Sequence, residues 1–143
     1  MYRHWSSWSD ENSKQLFLYD IKENSVSGVG INILESEKYN GVLPPFGGSE
    51  GIVFSSNGDK IIYSCKKKIG KEFALSTNSE LYEYTIASKE TKTLTTGYKG
   101  YDNHPVITKS GKSLAWLSMA RDGYEADKND IIFRDLATEK TVI

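Results

Sequence analysis

At 143 residues, 38% hydrophobic and 26% charged, the chain is long enough for one modest globular core and no more. Its formal charge of −1, from 18 basic and 19 acidic residues, creates no broad positive field, so charge announces neither a nucleic acid nor an anionic membrane as partner. No run approaches the roughly 18–20 apolar residues of a spanning helix, and Met1-Tyr2-Arg3-His4-Trp5 lacks the apolar core of a signal peptide.

The first thirteen residues set Trp5 and Trp8 among serines and acids and read as an irregular, aromatic-rich lead-in with a packing role. Residues 15–21, Gln-Leu-Phe-Leu-Tyr-Asp-Ile, are rich in strand formers and predict a strand closed by the polar turn Lys22-Glu23-Asn24-Ser25. The return over 26–34 predicts its partner, weakened or bulged at Gly28 and Gly30. Residues 35–51 hold Pro44-Pro45 and Gly47-Gly48, which forbid a continuing helix and mark a connection.

Ile52-Val53-Phe54 and Ile61-Ile62-Tyr63-Ser64-Cys65 flank Asn57-Gly58, a pair that supplies the positive φ angles of a tight hairpin. After a polar arm over 66–79, strands are expected over 81–86 and 91–95, joined by the turn Ala87-Ser88-Lys89-Glu90. Their period of two puts Tyr82 and Tyr84 on one face and Leu81, Glu83 and Thr85 on the other. A linker over 97–103 leads to a second copy of the design across residues 104–136. That copy has a hairpin around Ser110-Gly111-Lys112, a strand over 113–117, a polar excursion over 119–130 and a strand over 131–134.

Equivalent turns therefore recur at a spacing of about 50 residues, which matches a four-stranded propeller blade better than a helical repeat. Residues 14–34 match the last half of such a unit, and residues 50–96 and 104–143 a whole unit each. The expected fold class is all-β: a partial β-propeller of about two and a half four-stranded antiparallel blades, excerpted from a larger ring. Exposed sheet edges in an incomplete ring predict self-association.

Gly47-Gly48-Ser49-Glu50-Gly51 matches the G-x-S-x-G pattern of a hydrolase nucleophile elbow, with His104 downstream. An elbow needs a strand before the serine and a helix after it. Here Pro44-Pro45 precedes and a strand follows, so Ser49 reads as linker and no catalytic residue is assigned. His4 and His104 are the only histidines, which excludes a multi-histidine metal site. Asp127-Lys128-Asn129-Asp130 alternates oxygen ligands but lacks the glycine and final glutamate of an EF-hand loop. Neither a metal nor a cofactor is expected. Cys65, being alone, forms no internal disulfide and reads as a small buried hydrophobe. Lys66-Lys67-Lys68 with Lys71 reads as a solvated loop, and Tyr98 and Tyr101 as packing between blades.

The hairpins Asn57-Gly58-Asp59-Lys60-Ile61-Ile62-Tyr63 and Ser110-Gly111-Lys112-Ser113-Leu114-Ala115-Trp116 resemble those of bacterial TolB-like and peptidase propellers. They depart from the usual pattern in carrying Asn57 or Ser110 where proline-aspartate commonly precedes the glycine. Residues 66–79 and 117–128, with Tyr2-Arg3-His4-Trp5, resemble the propeller of dipeptidyl and acylaminoacyl peptidases of the prolyl oligopeptidase family over nearly the whole chain. The resemblance implies a serine exopeptidase, periplasmic or secreted, whose propeller covers a C-terminal α/β-hydrolase domain not contained here. That propeller would narrow access to the active site and help hold a peptide substrate.

In dipeptidyl-peptidase IV relatives a propeller segment resembling Tyr-Glu-Glu presents acids to the substrate's α-ammonium group, and Tyr124-Glu125-Ala126-Asp127 is similar. Only Glu125 carries over directly, because Ala126 occupies the second acidic position and Asp127 stands one residue late. The resemblance thus implies Glu125 as peptide anchor, assisted by Asp127, Arg121 and Tyr124. Two alternatives stay open: this loop caps its blade through local ion pairs, such as Arg121 with Asp122 or Glu125, or the chain is a stand-alone TolB-like module that binds a protein.

Overall fold

The computed structural model describes residues 12–35, 37–43 and 47–143. Trp5, Trp8, His4 and the Pro44-Pro45 pair lie outside the described residues. Strands β1 (Phe17–Lys22) and β2 (Ser25–Asn32) form an antiparallel hairpin. Its two central residues, Glu23 and Asn24, both have positive φ (49° and 62°), the pattern of a turn whose twist matches that of its strands.

Strands β3 (Ile52–Phe54), β4 (Lys60–Cys65), β5 (Glu80–Thr85) and β6 (Glu90–Thr93) form one antiparallel meander. Strands β7 (Asp102–Ile107), β8 (Ser113–Ser118), β9 (Asp130–Asp135) and β10 (Thr141–Val142) repeat it. Two four-stranded sheets and a two-stranded hairpin make the all-β, partial-propeller architecture that the repeat predicts. The arm departs from expectation. The polar arm contains a six-residue helix, α1 (Gly70–Leu75), too short to show a period in the sequence. It is held from outside itself: Lys66 Nζ donates to the Phe73 carbonyl at 2.6 Å and to that of Ser76, satisfying oxygens the short helix leaves open.

Strand alternation sorts the core into two layers. Ile61, Tyr63, Cys65, Tyr82 and Tyr84 face Ile33 and Leu34 beside the first hairpin, with the Tyr63 and Tyr82 rings stacked at 5.7 Å. From the other face, Ile62 and Leu81 meet Leu94, Leu114, Trp116 and Ile132, filling the space between the two four-stranded sheets. Cys65 is buried, its thiol donates to the Asn40 carbonyl at 3.1 Å, and burial pushes its pKa up to about 12, as suits a structural residue. Glu83, also buried, is balanced by Lys60 at 3.0 Å and Lys92 at 3.3 Å.

The sheets join along β7, which packs against β3, β4 and β5. Ser79 N donates to the Gly100 carbonyl at 3.2 Å and Asp102 N to that of Ser79 at 3.3 Å. Asp102 is fully buried at this seam; its Oδ1 accepts from Trp116 Nε1 at 3.1 Å, and its Oδ2 has no hydrogen-bond partner among the described residues.

A meander sends its connections alternately to opposite ends. The turns β3–β4 and β7–β8 lie at one end. The arm between β4 and β5, the excursion between β8 and β9 and the connector between β6 and β7 lie at the other. Residues 66–79 and 119–130 are therefore equivalent loops of successive sheets, brought side by side.

Candidate functional site

A groove of about 380 Å³ opens between those two loops. One wall is Ala74, Leu75, Ser76 and Thr77; the other is Gly123, Tyr124, Glu125 and Ala126. Asp122 joins them. Its Oδ1 accepts from Ser76 Oγ at 2.7 Å, Thr77 N at 2.7 Å and Asn78 N at 3.0 Å, while Gly123 N donates to Thr77 Oγ1 at 2.9 Å. These donors hold the Asp122 carboxyl below its ordinary range against the opposing effect of desolvation. Asn78 Nδ2 in turn donates to the Tyr98 carbonyl at 3.0 Å, tying the same corner to the connector.

Of the four residues that the sequence proposes for recognition, Tyr124 and Glu125 line the groove, whereas Arg121 and Asp127 turn towards each other. Arg121 Nη2 donates to Asp127 Oδ1 at 3.0 Å and Nε to Oδ2 at 3.3 Å, a two-pronged pair that closes the excursion as a ring. The Asp127 side chain is only 8% exposed, against 62% for Arg121. The guanidinium and two backbone N–H donors hold the Asp127 carboxyl low. The guanidinium also sits over the Tyr124 ring at 4.1 Å, fixing one wall. Within the loop Arg121 thus pairs with Asp127, and Asp122 is drawn across to the neighbouring loop. Half-buried Lys66 is the first residue of the arm. Burial lowers its pKa, and the charges of Asp122 and Glu125 oppose that shift.

The sequence offered a faint signal for Asp122: an Asp-Gly pair, whose Gly123 adopts φ +75°. It gave no indication that the carboxylate reaches the previous repeat.

A second, smaller cavity of about 70 Å³ is lined by Leu43, Glu50, Ser64, Tyr101, Asn103 and His104, among others. His104 occupies a bulge in β7 with φ +52°. Ser49 does not line it. That serine, itself exposed, opens a single turn of 3-10 helix, Ser49–Gly51, which runs directly into β3, so the strand-serine-helix geometry of an elbow is not met. Tyr98 packs edge-on against Trp116 at 5.8 Å, and burial raises the Tyr101 pKa. Among the described residues, no three His, Cys, Asp or Glu side chains are grouped to hold a metal ion, and no helix is long and apolar enough to cross a membrane.

No protein-family model matches the chain. It is 39% identical over 140 residues to dipeptidyl-peptidase 5 of Porphyromonas gingivalis, a match that covers 98% of this chain and 20% of that protein. To dipeptidyl-peptidase 5 of Porphyromonas endodontalis it is 36% identical over 127 residues, covering 89% of this chain and 18% of the relative. The chain thus spans about a fifth of the length of the curated relatives it matches. In three dimensions it is similar to the structure of a putative TolB from Agrobacterium tumefaciens, with a TM-score of 0.52 and 14% identity, over 90% of this chain and 44% of that one. At that identity the likeness speaks for the propeller fold alone.

Proposed function

We propose, on the premise that this chain is a β-propeller segment of the dipeptidyl-peptidase 5 family, that it gates and orients short peptides for a serine nucleophile on an α/β-hydrolase domain outside these 143 residues. Catalysis belongs to that domain; the segment supplies selection. Within it, Glu125 anchors the peptide's α-ammonium group, with Tyr124 as the neighbouring wall and the Arg121–Asp127 pair holding the loop in shape.

The observation that carries this reading is the placement of Glu125 in the groove of a chain whose identity to dipeptidyl-peptidase 5 runs through nearly its whole length. A carboxylate forms a charge-assisted hydrogen bond to an ammonium group, and one held at a fixed place in the groove so measures distance from the peptide's end. The rival reading, a stand-alone TolB-like module that binds a protein, rests on the shared fold only.

The test is Glu125→Gln in the complete peptidase, assayed on paired chromogenic dipeptide substrates with free and acetylated amino termini. Loss of one charge-assisted contact should raise KM for the free-amine substrate about tenfold or more and leave the acetylated one little changed. An unaltered preference for the free amine would return Glu125 to a purely architectural role.

A further inference from the structure

The peptide-end reading treats the excursion between β8 and β9 as the recognition element. The geometry points further: we infer that the site is a composite of two successive blades, and that Asp122 is the positioning residue that seats the arm of one blade against the Glu125 loop of the next. This inference rests on the peptide-end reading for its substrate, but on separate observations for its residue.

Four hydrogen bonds cross between loops more than forty residues apart in sequence, and three of them end on a single atom, Asp122 Oδ1. The approach is close as well as polar. Gly123 lies so near the arm that an added Cβ would stand 3.3 Å from the Leu75 carbonyl, in a backbone conformation (φ +75°) that suits glycine. The Ser76–Asn78 corner is meanwhile fixed from its far side by the Tyr98 carbonyl. The arm therefore has little freedom on its own blade, and Asp122 transfers that position to the excursion.

Chemistry explains why an aspartate serves here. Two backbone N–H groups and a hydroxyl converge on one oxygen, a nest that a carboxylate fills with charge-assisted bonds and that asparagine fills with neutral ones through the same Oδ1. Arg121 and Asp127 make the excursion internally rigid, and Asp122 locates that rigid unit against its neighbour. Glu125, three positions on, is carried with it.

The experiment compares Asp122→Ala, Asp122→Asn, Thr77→Val and Glu125→Gln in the complete peptidase, measuring kcat and KM on free-amine and acetylated substrates and Tm for each. We expect Asp122→Ala to raise KM for free-amine substrates about tenfold, with kcat within about twofold, and to erode the preference over acetylated substrates. Asp122→Asn should recover most of that preference, since its Oδ1 still accepts, and Thr77→Val should show a smaller loss in the same direction. The inference is overturned if Asp122→Ala keeps the wild-type preference while Glu125→Gln abolishes it. It is equally overturned if Asp122→Ala and Asp122→Asn depress both substrates in proportion to Tm, the mark of a scaffold role. Should Glu125→Gln itself leave the preference intact, the amino-terminus reading falls and this inference falls with it.

Discussion

Asp102 shows how a single buried side chain sets a pH dependence. Its carboxyl is pushed up to about 6 from the ordinary 3.8, first by burial; Ser118, Thr95 and Trp116 favour the charged form, and Glu80 opposes it. Because the folded value lies above the unfolded one, the native state holds this proton more tightly than the unfolded chain does. Its contribution to stability is therefore complete below 3.8 and is lost as pH rises through about 6. Asp59, Asp122, Asp127 and Asp135 are shifted the other way, and their contributions fade only below the ordinary carboxylate value. Between those limits Asp102 dominates among the carboxyls with shifts. Urea unfolding of the chain should show stability rising by on the order of 1–3 kcal/mol between about pH 7 and pH 4.5. Asp102→Asn should flatten that slope, and a wild-type slope of zero would disprove the assignment. Asp102 reads in sequence as an ordinary linker acid. Its burial comes from β7 seating on β5, which no pattern of neighbouring residues announces.

The hairpins, by contrast, are legible because their chemistry is local. In the first full sheet Ser55 Oγ bonds Asp59 Oδ1 at 2.8 Å and accepts from Lys60 N at 2.9 Å; in the next, Thr108 Oγ1 accepts from Ser113 N at 3.2 Å. Gly58 and Gly111 then donate back to the Ser55 and Thr108 carbonyls at 2.9 Å and 2.8 Å, with φ of +75° and +69°. The two turns are one design despite Asn57 and Ser110 differing from the usual family residues. Their surroundings differ: a Cβ at Gly58 meets open space, while one at Gly111 collides with the Ser56 side chain. Gly58→Ala should cost about 1–2 kcal/mol from backbone conformation alone. Gly111→Ala should cost more, with the excess relieved in a Ser56→Gly background, as chemical denaturation of the four variants would show. Helix α1 marks the limit of local reading, since six residues held by Lys66 carry no periodic signature of their own.

For the whole molecule, the outermost faces matter most. On the β1–β2 hairpin Ile21, Val26 and Val29 are 74%, 67% and 95% exposed, and on the last sheet Ile131 and Phe133 are 57% and 46% exposed. Such surfaces, beside open sheet edges, favour pairing with further β structure. The 143-residue chain expressed alone should sediment with a weight-average mass that climbs with concentration. Val29→Lys combined with Phe133→Lys should shift it towards monomer. A compact monomer at every concentration would show that these faces are tolerated in water.

Strands, turn residues, the spacing of about 50 and the family resemblance are legible in the amino-acid order, because alternation and turn chemistry are fixed within a few residues of chain. That order also brought Tyr124 and Glu125 forward, through a four-residue similarity. That Asp127 is engaged by Arg121, that Asp122 reaches Ser76, Thr77 and Asn78, and that Asp102 is buried against Trp116 follows from the folded arrangement instead. Those pairings depend on the angle and depth at which one sheet docks on another. Packing of Ile62, Leu81, Leu114 and Trp116 sets that geometry, and no stretch of either sheet encodes it alone.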